Sequence, residues 1–113
     1  METTSRKESK FTIVAVTGRI DAITAPEFET YLAGLMTKGE KHFLINLAGL
    51  DYISSAGLRS ILATAKKLKS ETGEIVFSGL RGPVEEVFKI SGFNSIFKIF
   101  ESETIALANL DNG

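Results

Sequence analysis

The chain has 113 residues, of which 43% are hydrophobic and 24% charged, with a formal net charge of −1 and no cysteine. This length suits one globular domain with a real core and is too short for two domains. The balanced charge argues against a nucleic-acid partner, and the lack of cysteine excludes disulfides, thiolate metal ligands and a cysteine nucleophile. Because no apolar stretch is long enough to span a membrane and no signal peptide precedes the fold, we expect a cytoplasmic protein without a membrane partner.

The N-terminal part predicts a flexible segment followed by a strand. Residues 1–9 are polar and show no periodicity, so we expect a flexible N-terminal segment outside the fold. Residues 10–16 are rich in β-branched side chains and predict the first strand. Thr17 and Gly18 predict a turn or bulge, after which residues 19–20 form a short continuation that folds back as a hairpin. This hairpin is expected to be the antiparallel part of the sheet.

A helix follows the hairpin, and several signals agree on where it begins. Thr24 is placed to be its N-cap, Pro26 suits the first turn, and Glu27 completes a Thr-x-x-Glu capping box. The polar residues 38–41 end the helix. The apolar residues between these ends recur at helical spacing: Phe28, Tyr31, Leu32, Leu35 and Met36.

Strands and helices alternate through the rest of the chain. The predicted strands cover residues 42–47, 74–78 and 96–100. The predicted helices begin at the Ser54–Ser55 pair, at Pro83 and after Ser102, with the first running to about Lys69 and with residues 111–113 frayed. The expected sheet-facing residues are Leu58, Ile61, Leu62, Ala65 and Leu68 in the first of these helices, and Ile105, Ala108 and Leu110 in the last. This order predicts an α/β fold with a mixed, mostly parallel sheet of four to five strands and about four helices.

The connection between residues 47 and 58 carries the main candidate site. It joins a predicted strand to a predicted helix and contains Ser54 and Ser55, followed by the small residues Ala56 and Gly57. A serine in the first turn of a helix can simply accept hydrogen bonds from free backbone N–H groups. The same position suits a phosphate, because the helix dipole favours an anion there. Two adjacent serines permit both roles, with Ser54 as the cap and Ser55 left free.

Enzyme chemistry has little support in the sequence. The one histidine, His42, precedes an apolar strand beside Lys41 and is interpreted as a solvated residue at the strand start. No nucleophile elbow, Walker A loop or dinucleotide fingerprint is present, which argues against a serine hydrolase and against a dinucleotide enzyme. We therefore expect no catalytic residue, no metal site and no cofactor.

Three segments resemble the STAS domain of bacterial anti-sigma-factor antagonists. They are Gly-Arg-Ile-Asp at 18–21, Leu-Ala-Gly-Leu-Asp-Tyr-Ile-Ser-Ser-Ala-Gly-Leu at 47–58, and Ile-Ser-Gly-Phe at 90–93. The middle segment is the specific one, and the outer two support it. Because the similarity runs over about residues 8–110, the resemblance implies a single STAS domain, which we place at residues 10–110.

The resemblance implies a regulator of transcription that works by partner switching. In this family the protein binds an anti-sigma factor that is also a serine kinase, and phosphorylation of a serine at the start of the helix releases that partner. The position two residues before Gly57 assigns the phosphorylation to Ser55. A metal-dependent Ser/Thr phosphatase removes the phosphate, and the protein itself is not an enzyme. The family often has aspartate ahead of the acceptor, where this chain has Ser54.

The resemblance also implies a partner-binding surface around the phosphorylation site, with no direct contact to nucleic acid. The expected surface comprises Asp21, Thr24, Ser54, Ser55, Ala56, Gly57, Leu58 and Arg59. Two other interpretations stay open. One is a STAS subunit that docks on a transport ATPase or other complex without phosphorylation. The other is a flavodoxin-like enzyme or nucleotide binder, which would lack the usual phosphate-binding loops.

Overall fold

A computed structural model describes residues 1–111, and within that range the chain forms five strands, four α-helices and one short 3-10 helix. The strands are β1 (Glu2–Glu8), β2 (Phe11–Ile20), β3 (His42–Ile53), β4 (Glu74–Ser78) and β5 (Ile99–Phe100). The α-helices are α1 (Ala25–Thr37), α2 (Ser55–Ser70), α3 (Gly82–Ile90) and α4 (Glu103–Asp111), and the 3-10 helix is Phe93–Ser95. Residues 112–113 of the predicted frayed end lie outside the described residues. Within the described range, no helix is long and apolar enough to cross a membrane.

The strands form one sheet in the order β1-β2-β3-β4-β5. β1 is antiparallel to β2, and each of the other neighbouring pairs is parallel. A parallel neighbour requires a crossover, and α1, α2 and α3 are the three crossovers. The predicted α/β fold with a mixed, mostly parallel sheet is therefore confirmed.

The two faces of the sheet bury separate clusters of apolar side chains, because successive residues of a strand point to opposite faces. On β3, for example, Ile45 belongs to the larger cluster and its neighbour Leu44 to the smaller one. The larger cluster joins the sheet to α1, α2 and α3 through Phe28, Leu32, Ile61, Leu68, Val84 and Phe88. The smaller cluster joins the sheet to α4 through Ala106. The three crossover helices thus cover one face, and α4 covers part of the other.

The N-terminal segment is a strand, which corrects the prediction of a flexible segment at residues 1–9. β1 pairs antiparallel with β2, from Glu2 opposite Thr17 to Glu8 opposite Phe11. Its side chains are mostly exposed, so the apolar alternation that identifies a half-buried strand is absent. β1 is held in the sheet by its backbone pairing with β2, and it needs no buried apolar side chains for this. The end of the domain at residue 110 stays a prediction.

The opening hairpin exists, but its turn lies earlier than predicted. Ser9 adopts a positive φ of 57° between β1 and β2. At Thr17 and Gly18, where the sequence predicted a turn or a bulge, the structure has the bulge: β2 shifts register twice, continues to Ile20 and stays parallel to β3. Such bulges accommodate extra residues without ending a strand. β2 and β3 therefore run side by side as far as the candidate site.

The buried face of α2 is rotated from the predicted one. Ile61 and Leu68 are buried as expected, but Leu62 is 42% exposed, while the polar Ser60 and Thr64 are buried. α2 packs against α1 as well as against the sheet, and the Ser60 hydroxyl donates to the backbone carbonyl of Ala25 at 3.4 Å. The contact between α1 and α2 thus buries the short polar side chain of Ser60, which hydrophobic periodicity alone would place at the surface.

The last strand is shorter than predicted, and the last helix turns a different face inward. The strand predicted over 96–100 is reduced to β5, because a 3-10 helix precedes it and leaves Ile96 60% exposed. Ser102 caps α4 as predicted, its hydroxyl accepting from the backbone N–H of Ile105 at 3.2 Å. The predicted inward residue Ile105 is itself 42% exposed, and among residues 103–110 of that helix Ala106 is the fully buried one.

Candidate partner-binding site

The ends of β2 and β3 meet at one edge of the sheet. Ile20 lies opposite Ile53 in the parallel register, and the backbone N–H of Ser54 donates to the Ile20 carbonyl at 2.8 Å. Asp21 directly follows the first strand, and Ser54 directly follows the second. The structure therefore brings together two segments that lie more than thirty positions apart in the sequence.

Ser54 and Ser55 divide the functions available at the start of α2. Ser54 is the N-cap, with extended backbone at φ −90° and ψ 172°, and its Oγ accepts from the backbone N–H of Gly57 at 3.2 Å. Ser55 is the first residue of the helix and is exposed. Its hydroxyl makes no hydrogen bond within the described part of the chain. Ser55 thus presents a free hydroxyl beside a serine that already caps the helix.

Gly57 packs inside the protein, although the sequence placed it on the partner-binding surface. It is buried, and a Cβ added there would lie 2.7 Å from Cγ2 of Ile20 and 2.7 Å from Cγ1 of Ile53. Carbon atoms do not approach so closely without displacement. The missing side chain therefore lets the first turn of α2 sit directly on the two strand ends, and Gly57 is not part of the exposed surface.

Asp21 organises the turn between β2 and α1. Its Oδ1 accepts from the backbone N–H groups of Thr24 and Ile23, each at 3.0 Å. The hydrogen bond from Thr24 is the main cause that lowers the pKa of the Asp21 carboxyl, and the nearby Arg19 cation adds to it. Asp21 is accordingly a carboxylate at neutral pH.

Thr24 precedes α1 as predicted, but it forms no capping box. Its backbone is already helical, at φ −89° and ψ −18°, and its side chain caps no helix N–H. The Thr24 hydroxyl instead accepts from the backbone N–H of Asp21 at 2.8 Å and donates to the Arg19 carbonyl at 3.0 Å. Asp21 accepts from the free N–H groups of the turn, and the Thr24 hydroxyl therefore bonds the backbone of Asp21 and Arg19 instead of capping the helix.

An exposed isoleucine beside Asp21 was missed by the sequence interpretation. Ile23 is 81% exposed, and it is held in the turn by the hydrogen bond from its backbone N–H to Asp21. An apolar residue of this size at the tip of a turn is available to a partner. The sequence signal that could have identified this exposed residue is an isoleucine in the short turn between β2 and α1, outside any apolar periodicity.

A groove of about 560 Å³ between α1 and α2 opens beside the candidate site. Its lining includes Ala22 and Ala25 on one side and Ala56 and Arg59 on the other. Of the predicted surface residues, Ala56 and Leu58 are half-buried and Arg59 is exposed. The exposed hydroxyl of Ser55 thus lies beside a shallow, mostly apolar concave surface.

Comparison with known proteins identifies the family. The STAS domain model matches residues 2–106, a range that includes β1. The protein BtrV of Bordetella bronchiseptica, named as a candidate anti-sigma factor antagonist, is 42% identical over 108 residues, covering 96% of this chain and 93% of BtrV. The chain therefore belongs to the STAS domain family of anti-sigma-factor antagonists, as its sequence motifs indicated.

Two further relatives carry related names. The anti-sigma-B factor antagonist of Staphylococcus aureus is 29% identical over 105 residues, covering 93% of this chain and 95% of that protein. The Bacillus anti-sigma factor antagonist SpoIIAA has been solved in two forms. Its unphosphorylated form superposes with a TM-score of 0.85 at 15% identity, covering 99% of this chain and 98% of SpoIIAA. Its phosphorylated form gives a TM-score of 0.75 at 14% identity, covering 96% and 99%. At this identity the two structures show a shared fold.

Proposed function

We propose that this chain is an anti-sigma-factor antagonist, which acts by binding an anti-sigma factor and has no catalytic role of its own. The names of BtrV and of the Staphylococcus aureus relative support this role, since both proteins are similar over nearly their whole length. The proposed partner regulates transcription, which places the action of the chain in the cytoplasm.

We further propose that the anti-sigma factor is also a serine kinase and that it phosphorylates Ser55. The observation that carries this proposal is the exposed, unbonded hydroxyl of Ser55 beside Ser54, which already caps α2. The substrate hydroxyl of a kinase must be reachable and free to give up its proton and attack the γ-phosphoryl group of ATP, with ADP as the leaving group. Ser54 is the poorer candidate for phosphorylation, because its Oγ already accepts a hydrogen bond from the backbone N–H of Gly57.

The proposed binding surface combines the two segments joined at the sheet edge. Asp21 contributes a fixed carboxylate that suits a basic group on the partner, and Ile23 contributes exposed apolar area. The remaining exposed or half-buried members are Thr24, Ser54, Ser55, Ala56, Leu58 and Arg59. A partner seated here would cover the Ser55 hydroxyl.

Phosphorylation would act on this interface more than on the fold. It adds about 1.5 to 2 negative charges and three acceptor oxygens. The start of α2 tolerates an anion because its free N–H groups and its dipole favour one. An interface formed around a neutral hydroxyl would have to desolvate the phosphate, and a penalty of about 2.8 kcal/mol weakens binding about a hundredfold.

The proposal is tested by incubating the protein with its partner kinase and ATP and mapping the product by peptide mass spectrometry. Phosphate on Ser55, removed again by a metal-dependent Ser/Thr phosphatase, is the expected result. Phosphate on Ser54 alone would overturn the residue assignment. If neither serine is modified while the chain co-purifies with a transport ATPase, a docking subunit that works without phosphorylation replaces the proposed switch.

A further inference from the structure

One exposed stripe of α2 begins at Ser55 and runs to the end of the helix. Positions 55, 59, 62, 66 and 69 follow one another at steps of four, three, four and three, so their side chains share one face. All five residues of this stripe are exposed: Ser55, Arg59, Leu62, Lys66 and Lys69. The stripe thus carries one large apolar side chain and three cations beyond the proposed phosphorylation site.

A groove of about 400 Å³ lies beside the second half of the stripe. It runs between α2 and the segment around the 3-10 helix, with Ile75 and Phe97 among its lining residues. Leu62 and Ile96 also line it and are 42% and 60% exposed. Two large aliphatic side chains that line one groove and remain exposed offer apolar area to a partner.

The charged residues that line this groove are two lysines and one glutamate, so its net charge is positive. Lys66 and Lys69 line it together with Glu74, whose Oε2 lies 2.7 Å from Nδ1 of His42. Among residues 1–110, no carboxylate lies within ion-pair distance of either lysine. A segment bound in the groove would therefore meet exposed aliphatic side chains and two ammonium groups that make no ion pair of their own within this range.

We infer that this groove binds a protein segment in which carboxylates alternate with large apolar side chains. Aspartate or glutamate would pair with Lys66 and Lys69, while aliphatic or aromatic side chains would pack between Leu62 and Ile96. A nucleic acid fits the surface less well, because two lysines neutralise few phosphates and the chain as a whole has a net charge of −1.

Within the proposed function, on which this assignment of the partner rests, the segment belongs to the anti-sigma factor. Lys66 lies about 16 Å along the helix axis from Ser55, a distance that one protein partner spans easily. Because this distance exceeds the Debye length of about 8 Å at physiological ionic strength, the groove contributes to binding while the phosphate at Ser55 controls release.

The experiment uses the purified unmodified chain and needs no kinase. A phage-displayed library of random peptides is selected on the immobilised protein, and enriched peptides are synthesised and titrated while amide shifts are followed by NMR. We expect enriched peptides with net negative charge and at least two large apolar residues, and shifts concentrated at residues 62–69 and 96–97. Enriched peptides without acidic residues, shifts elsewhere, or no enrichment over a blank surface would overturn the inference. Binding to anionic phospholipid vesicles in place of peptides would overturn it as well.

Matched variants test the same groove. Lys66→Glu and Lys69→Glu should each weaken peptide binding by about tenfold or more, a loss of about 1.4 kcal/mol. Lys67→Glu makes the same charge change on the same helix but outside the groove, and it should leave affinity within about twofold. Leu62→Ser should weaken binding, whereas Ile90→Ser, which removes an isoleucine that is 82% exposed elsewhere, should not.

The same variants separate this inference from the proposed function. If the selected peptides bind the groove but Lys66→Glu leaves binding of the anti-sigma factor unchanged, the acidic segment belongs to another protein and the assignment of the partner is wrong. If Ser55 is phosphorylated but no acidic peptide binds, the proposed switch survives and the groove inference fails.

Discussion

The backbone N–H of Ser54 donates a hydrogen bond to the backbone carbonyl of Ile20 at 2.8 Å. This bond ties the residue that caps α2 to the last residue of β2. Asp21 continues the chain from one partner of the bond, and Ser55 continues it from the other. The relative position of the Asp21 turn and the Ser55 hydroxyl is therefore set by the central pair of parallel strands, whose residues are largely buried.

Gly57→Ala should destabilise the fold, because the added methyl group would overlap Ile20 and Ile53. Overpacking of this kind costs about 1 to 3 kcal/mol. Gly34→Ala is the matched control, since Gly34 lies inside α1 with nothing near its missing Cβ. There alanine should stabilise by about 0.5 to 1 kcal/mol through its higher helix propensity. Urea unfolding of both variants measures the difference, and equal stabilities would show that Gly57 is not tightly packed.

Ile61→Ala and Leu62→Ala should separate the two faces of α2. Ile61 is fully buried, and its truncation should cost about 2 to 5 kcal/mol. Leu62 is 42% exposed, so its truncation should cost less than about 1 kcal/mol. Chemical denaturation at constant pH gives both values. A larger loss for Leu62 than for Ile61 would mean that the helix is rotated from the orientation described.

Ser55→Ala should bind the partner kinase constitutively and resist phosphorylation, whereas Ser55→Asp should bind poorly. Ser54→Ala should still be modified, although losing its cap should cost about 0.5 to 2 kcal/mol of stability. Calorimetric titration with the kinase, combined with peptide mass spectrometry after addition of ATP, measures affinity and modification together. Tight binding by Ser55→Asp would argue against an electrostatic switch at this position.

Asp21→Asn tests the proposed contact with a basic group on the partner. Asparagine keeps an oxygen that can accept from the N–H groups of Ile23 and Thr24, so the turn should persist without its charge. We expect about fivefold weaker binding at low salt and a smaller difference at high salt. An affinity unchanged across the salt series would remove Asp21 from the interface.

Glu103 should contribute to the acid sensitivity of the fold. The hydrogen bond from Arg6 is the main cause that lowers the pKa of the Glu103 carboxyl, and a second one from Asn46 acts in the same direction. A carboxyl whose pKa is lower in the folded state than in the unfolded state, where it is 4.5, stabilises the fold at pH values above 4.5. This stabilisation is lost as the pH falls through the pKa of the folded state. Glu103→Gln should therefore flatten the decline in melting temperature below about pH 4.5.

The control for this pH profile is Glu85→Gln, which removes an exposed glutamate of α3 that makes no ion pair among the described residues. It should leave the steepness of the profile unchanged. Glu40 also has a lowered pKa, chiefly through its hydrogen bond from Lys7, so some acid sensitivity should remain in both variants. Identical profiles for the wild type and Glu103→Gln would contradict the expected role of Glu103.

The sequence alone determined the features that depend on neighbouring residues. The apolar strand at residues 42–47, the helical spacing after residue 54 and the adjacent serines are local patterns. They identified the order of strand, serine pair and helix and the family correctly, although β3 itself runs on to Ile53. The sequence also indicated Ser54 as the N-cap of α2, because a serine directly before a helix can accept from the free N–H groups of the first turn.

Only the tertiary structure decided which of these residues face solvent. Leu62 follows the apolar period of α2, yet contact with α1 rotates it outward and buries Ser60. Gly57 was expected at the surface, but the strand ends beneath α2 occupy the space that a side chain would need. β1 has no apolar signal of its own, since its place in the sheet comes from backbone pairing with β2. Exposure depends on what distant segments pack against a residue, and the spacing of residues along one helix or strand does not contain that information.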